Sequence, residues 1–572
     1  MSFLANDPEM QELLGGPPGQ ATEPERVEVL PARSGDPMAT LPGGAYEGAS
    51  QFDRELALWR PNLNSVDGEI IPDKPVLDAR TRDMLRNDSY VASGANIHKD
   101  NIVGAAFLLN SKPVHQVLGL DETWAEEFQE EVESKFTLWA ESINNWPDAA
   151  RKGTLTDLVR LAVGVHLMSG EVLAAVEWIR ESARPYNTAI QMVDLDRLST
   201  PPGMIESRRL RAGVAKNGHG APIGYHIRKA HPNEWLDADS YQWKYIPSHK
   251  PWGRVQMIHI FESMRPDQTR GVAEMASALL ETKIARNFRK VALQRAIVDA
   301  TYAASIESEL PTEAVYQVLG AGNMSATDVQ KAIQGYATGY LNSINEYSGA
   351  KGHKIDGVKI PHFFPGTKLN IRPAGHGGPL GTEFEQSLLR YIAANLGISY
   401  EQLSRDYSKT NYSSAKAAMA ETWKFMQSRK KVIADRFASH IYMLWLEEAI
   451  SKGHIDSLPR NAPNFWEGLN REAYSACEWI GASRGQIDEL KETQAAVLRI
   501  KYHLTTYEDE LARLGKDWRK VLAQREREQA IMDERGLTVD QQDNMMNAAT
   551  GAPRESEAKD EKDDGSEDNA DA

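Results

Sequence analysis

Residues 384–418 read "FEQSLLRYIAANLGISYEQLSRDYSKTNYSSAKAA", and the character of the chain changes twice within them. The segment "EFEQSLLRYIAANLGI", with Glu383–Leu396 at its centre, has apolar residues at helical spacing. A polar stretch follows, in which Asp406-Tyr407 and Asn411-Tyr412 flank Lys409 without the glycines of a tight turn. From Ala415 to Ile450 there is again neither Gly nor Pro. Trp423, Phe425, Phe437, Tyr442 and Trp445 predict a long, densely packed helix there. The pattern is two helices joined by a polar loop that carries tyrosines.

A second long helix is expected upstream. Val272 to Ser305 contains no Gly or Pro. An apolar stripe runs along it through Val272, Met275, Leu279, Leu280, Ile284, Phe288, Val291, Val298 and Tyr302. At 1.5 Å per residue this is a rod roughly 50 Å long. It cannot bury the stripe alone, so it needs a partner helix in this chain or in a neighbouring copy. Nearer the N-terminus, a helical pattern over 73–112 leads into the apolar run "AAFLLN". In the next helix Trp124, Phe128, Val132 and Phe136 recur every fourth residue. "LTDLVRLAVGVHLMSG" predicts a third helix, capped by Gly170. Residues 171–262 read as strands: "EVLAAVEWI", "AIQMVDLDRL", "PIGYHIRKA" and "VQMIHIFE", separated by turn-rich segments. The glycine-rich interval from Pro311 to Pro379 reads as a compact insertion, and further helices are expected at 483–502 and 506–530.

Both ends differ from this body. Residues 1–50 are rich in Pro, Gly, Glu and Ala and are expected to be flexible. After Arg554 the chain holds nine acids, two lysines and no aromatic residue, the composition of a disordered, solvated tail.

Composition narrows the class of protein. The 572 residues suffice for two to four domains' worth of core, and 41% apolar with 26% charged is ordinary for a soluble protein. A net charge of −16 argues against sequence-independent nucleic-acid binding. A single cysteine, Cys477, excludes an intramolecular disulfide framework and suggests a reducing compartment. Neither a signal peptide nor a membrane-spanning run is evident, so a soluble, cytosolic-type protein is expected.

Most catalytic motifs are not found. G-x-x-x-x-G-K-[ST], H-E-x-x-H and C-x-x-C are all missing. The cluster "AGHGGPLG" at 374–381 lacks a following Lys-Ser/Thr and reads as a flexible turn rather than a phosphate cradle. His353, His362 and His376 do not have the spacing of a usual metal site. Asp194 and Asp196 fall on one face of an expected strand, and a solvated strand edge is favoured over a metal pair. Cys477 has no evident His partner and is expected to be a packed thiol. No cofactor or metal is implied, and an enzyme is not expected.

Several strings together resemble the portal proteins of tailed bacteriophages, in the lambda-type group. They are residues 384–418, "QRAIVDATYAASIESELPTEA" (294–314), "KIPHFFPGTKLNI" (359–371), "YMLWLEEAI" (442–450), "CEWIGASRGQIDELKETQAAV" (477–497) and "LRNDSYVASGANIHKDNIVG" (85–104). The resemblance runs in order from about 75 to 530 and leaves both tails outside it. It implies an α+β, mainly α-helical portal fold with wing, two-helix stem, clip and helical crown. It further implies a ring of about a dozen copies at one capsid vertex, through which double-stranded DNA is packaged and ejected.

Carried onto this sequence, the implied parts follow the numbering closely. Residues 51–270 form the wing, 271–305 the first stem helix, 306–380 the clip, 381–398 the second stem helix and 399–414 a tunnel loop. Residues 415–450 form a long wing helix and 451–535 the crown, with flexible 1–50 and acidic 536–572 at the ends. Implied partners are the terminase large subunit, capsid and scaffold proteins, and neck or head-completion proteins, with no membrane. Assembly in the host cytoplasm and residence in the virion are expected. The implied channel candidates are Arg405, Tyr407, Lys409, Asn411 and Tyr412. Lys409 and Asn411 suit transient phosphate contacts. For the two tyrosines, packing of the loop on the long helix is the favoured role. A non-ring helical scaffold or adaptor is the alternative, and a hydrolase built around Asp194 and Asp196 a more distant one.

Overall fold

The computed structural model describes residues 53–56, 58–301, 331, 334, 335, 338, 339, 353–355, 358–360, 380–485 and 488–536. The expected clip at 306–380, with His362 and His376, therefore lies almost wholly outside the described residues, as do 1–50 and nearly all of 536–572. The chain divides into two compact units, 1–65 and 66–572, and the second carries the architecture below.

Asp88 decides how that unit begins. Its carboxylate accepts from the N–H groups of Tyr90 and Val91 and so caps a new helix. The single helical pattern expected over 73–112 is therefore two helices, Val66–Asn87 and Ser89–Ile102. The first contains Pro72 and Pro75, which had placed its apparent start too late. "AAFLLN" becomes the strand Leu108–Ser111, paired antiparallel with Cys477–Ile480. Glu122–Ala140 buries Trp124, Phe128, Val132 and Phe136, as their spacing requires. Leu155–Ser169 starts at a Thr154/Asp157 capping box and ends at Gly170, whose φ of 75° is the left-handed conformation expected of a C-cap glycine.

The run "EVLAAV" does not alternate between apolar and polar because its strand is buried on both faces. Glu171–Trp178 is the centre of a three-stranded antiparallel sheet, flanked by Thr188–Met192 and Met257–Phe261. Val172, Ala174 and Val176 face the main core, whereas Leu173 and Ala175 face a second, smaller one. Across that smaller core lies a four-stranded meander: Leu210–Arg211, Val214–Lys216, Pro222–Arg228 and Trp243–Pro247. The main core centres on aromatic edges. Phe136 meets Tyr442 and Trp445 at ring separations of 5.4 and 5.2 Å, and Phe107 stacks on Trp479 at 5.3 Å.

The long helix begins at Tyr412 rather than Ala415 and runs to Ser451, interrupted by a π-helical segment at Lys430–Asp435. The π turn brings residues five apart together, and Lys430 Nζ reaches Asp435 at 2.7 Å and the Trp479 carbonyl at 2.7 Å. This buried cation marks a change in environment. Beyond it the helix is packed through Phe437, Ile441, Tyr442 and Trp445; before it only Thr422 and Met426 are buried. The helices expected at 483–502 and 506–530 are Glu489–Lys501, Tyr507–Arg513 and Trp518–Glu534, the last two separated at Gly515, with φ 73°. No helix among the described residues is long and apolar enough to cross a membrane.

Candidate functional site

Leu279–Thr301 and Leu380–Asn395 are the two long helices expected to pair, and they pack antiparallel. At one end Asn395 Nδ2 donates to Ser277 Oγ at 2.7 Å and to the Glu274 carbonyl at 3.1 Å. One segment further along, Phe288 and Phe384 meet edge to face at 5.3 Å. The stripe divides between two faces. Met275, Ala278, Leu279 and Ala285 are buried, while Leu280, Ile284 and Val291 are exposed, as are Phe384 and Tyr391 of the partner helix. The pair thus satisfies one face and leaves another uncovered in the single chain.

The root of this pair holds a buried charge network. Glu171 accepts from Arg270 Nε at 2.8 Å, from the Gly271 N–H at 2.8 Å and from His259 Nε2 at 3.0 Å. Lys74 Nζ lies 3.2 Å from Glu171 and 3.1 Å from Asp78, and also donates to the carbonyls of Ser169 and Gly271. Burial alone would raise the Glu171 carboxyl, but Arg270, Lys74 and His259 hold it well below the usual range. Asp78, with only part of Lys74 to offset its burial, is pushed up to about 6. Gly271 has to be glycine here, because a Cβ on it would sit 2.1 Å from the Gly170 carbonyl oxygen.

The segment 399–414 is more ordered than a bare polar loop. Ser399 and Gln402 form a capping box that starts a short helix, Tyr400–Ser404. Arg405 ends it in the left-handed conformation, φ 60°. The Asp406 carboxylate accepts from the Ser408 hydroxyl at 2.6 Å and its N–H at 3.1 Å, contacts that hold it below the usual carboxylate range. Asn411 Oδ1 accepts from the Ser414 N–H at 2.8 Å and caps the long helix. Arg405, Tyr407, Lys409, Asn411 and Tyr412 are all brought to this one projection and all are exposed. The tyrosines, expected to pack on the long helix, are 52% and 47% exposed instead; Lys416 lies over the Tyr412 ring at 5.8 Å. From Arg405 to Glu421 no residue is buried, so loop and helix start stand clear of the core together.

The other candidates resolve differently. Asp194 caps a 3-10 turn, Leu195–Arg197, and Asp196 lies within it, so the pair is not on a strand. Among the described residues they and His231 form a trio with ligand-type atoms within 4.8 Å. Arg82 already grips Asp196 at 2.5 and 2.7 Å, and this charge-assisted fork occupies the place a cation would take. Cys477 lies near Ser439, and burial pushes its thiol up to about 11, which makes it a poor nucleophile. The charge network and the capping role of Asn411 were not anticipated. The patterns S-x-x-Q at 399–402 and N-x-x-S at 411–414 could have signalled the caps.

Comparison with known proteins bears on the whole of this arrangement. A family described as "Phage portal protein, lambda family" matches residues 52–430. The chain is 38% identical over 487 residues to Portal protein B of Escherichia phage lambda, covering 85% of this chain and 89% of that protein. The portal protein of Escherichia phage N15 matches with the same identity and coverage. Among solved structures, a chain in the neck of an empty gene transfer agent particle covers 76% of this chain and 93% of its own at 13% identity. Its TM-score is 0.39, too low to rest an argument on. With two thirds of its length matched by one family, the chain belongs to the lambda family of phage portal proteins.

Proposed function

We propose that copies of this chain close into a ring of about a dozen at one capsid vertex, a channel for double-stranded DNA during packaging and ejection. The observation that carries the proposal is the similarity to two phage portal proteins over 85% of the chain. In this reading Leu279–Thr301 and Leu380–Asn395 are the stem helices, and their uncovered face, with Leu280, Ile284 and Val291, packs on the neighbouring subunit. Closure of such a ring uses heterologous contacts, two different faces of each copy meeting around the axis. Residues 51–270 and the long helix make the wing, and 451–535 the crown. The terminase large subunit and later the neck proteins dock on the clip, about 306–380, and capsid and scaffold proteins meet the wing. The particle is the virion, assembled in the host cytoplasm. The chain acts as a structural ring, and ATP hydrolysis belongs to the terminase.

The loop at 405–411 is the element that meets DNA. Lys409 offers one cation per subunit, enough for a passing phosphate contact. An acidic chain of net charge −16 supplies repelling walls that keep a polyanion sliding. Two substitutions separate contact from scaffold. Lys409→Ala removes an exposed charge and is expected to change stability by less than about 0.5 kcal/mol while lowering the DNA packaged per particle. Asn411→Ala removes the helix cap and is expected to cost about 1 kcal/mol. Full packaging by the Lys409→Ala ring would remove the loop from the mechanism.

A further inference from the structure

Between the two sheets of the 66–572 unit lies a groove that the portal reading does not use. Its floor is the outer end of the central strand, Glu177 and Trp178, and one wall is the strand Trp243–Pro247. The other wall is the turn from Lys250 to Arg254. Arg180, Lys244 and Lys250 all line it, and among the described residues none of the three is ion-paired. Trp178, Tyr245 and Trp252 line it as well, each about half exposed. Of its two acids, Glu447 is paired with Arg254, which leaves Glu177 against the three cations. In a chain with sixteen more acids than bases, three unpaired cations in one groove are unusual.

The wall strand is also open along one side. It pairs only with Pro222–Arg228 among the described residues. Lys229 N–H donates to Gln242 O, and Ser248 N–H to Ile223 O, so the backbone groups of even-numbered residues face inward. Alternation turns those of Trp243 and Tyr245 outward, where an extended peptide can pair. The groove therefore offers ammonium and guanidinium groups, indole and phenol donors, and a strand edge. That donor set fits an extended chain of carboxylates.

We infer that the groove binds the acidic segment of this same chain, residues 555–572. Charge complementarity carries the choice: the segment has nine acids against two lysines. Being tethered, it is supplied at high effective concentration, so weak individual pairs suffice. Its contacts are ionic and solvent-accessible, so they weaken with salt.

The test uses the full chain with Ala570→Cys and a short thiol-to-amine cross-linker. Cys477, with its thiol pushed up to about 11, reacts slowly at neutral pH and leaves the introduced thiol in the tail as the main attachment point. Peptide mapping is expected to join position 570 to Lys244 or Lys250 above all other lysines. Adding Arg180→Glu keeps both target lysines and is expected to lower that yield about fivefold, as is raising salt to ~0.5 M. Cross-links spread over surface lysines without preference would overturn the assignment. So would a Lys244/Lys250 yield that Arg180→Glu leaves unchanged. Protection of the two lysines by a single-stranded oligonucleotide, with no cross-link from the tail, would assign the groove to nucleic acid instead.

Discussion

Glu171→Gln is expected to cost about 3–5 kcal/mol, a large stability loss for a single polar substitution. The side chain is fully buried, with Arg270, Lys74 and His259 gathered round it. An amide of the same shape keeps some hydrogen bonds but leaves Arg270 in the interior without its counter-charge and Lys74 with Asp78 alone. The loss falls at the junction where the 66–87 helix, the three-stranded sheet and the start of the 279–301 helix meet through Lys74, Glu171 and Gly271. A stability loss below about 0.5 kcal/mol in urea unfolding would show that the network is incidental.

The same network gives opposite pH limbs. The Glu171 carboxyl is depressed in the fold, so its contribution is complete above the ordinary Glu range and is lost as pH falls below it. The Asp78 carboxyl is raised from 3.8 to about 6, so the fold binds its proton more tightly than the unfolded chain does. That term weakens the fold as pH rises from about 4 to about 6. Asp78→Asn is expected to flatten this upper limb, and Glu171→Gln to flatten the lower one, in urea midpoints measured from pH 3 to 7. Identical pH profiles for both variants and the parent would contradict the assignment.

The second large effect concerns assembly. Leu280, Ile284 and Val291 are spaced by four and seven residues, which places them on one exposed side of their helix. Burying each against a neighbouring copy contributes roughly 1.5–3 kcal/mol per interface. Leu280→Glu with Val291→Glu removes that gain and places charge in a dry contact. Because both positions are exposed in the single chain, the fold itself is expected to change by less than about 1 kcal/mol. The double variant is expected to stay folded by circular dichroism and to scatter light as a monomer. Rings formed as readily as by the parent would show that these residues do not form the subunit contact.

Local signals in the sequence were the reliable ones. The Thr154–Gly170 helix carried both its start and its stop, and the four-residue recurrence from Trp124 to Phe136 matched its buried face. Boundaries failed where a single residue made the decision. Asp88 splits a continuous helical pattern by capping two N–H groups, and Gly515 splits another by turning left-handed. The strand Trp243–Pro247 has no apolar alternation, since it lies half exposed at an edge, and it was not anticipated. The network around Glu171 was beyond reach because its members come from segments far apart in sequence, with Lys74 and Asp78 a helical turn apart as a local sign. At the loop, residue types gave the candidates. That the tyrosines stand about half exposed follows from tertiary placement, as no residue from Arg405 to Glu421 is buried.

The central claim is closure into a ring, and the direct measurement is the mass of the purified chain by light scattering with electron micrographs of the same sample. The expected result is closed rings of about a dozen copies around a hole wide enough for a DNA duplex. A monomer or two-fold dimer at every concentration, unchanged when capsid scaffold protein is added, would contradict it.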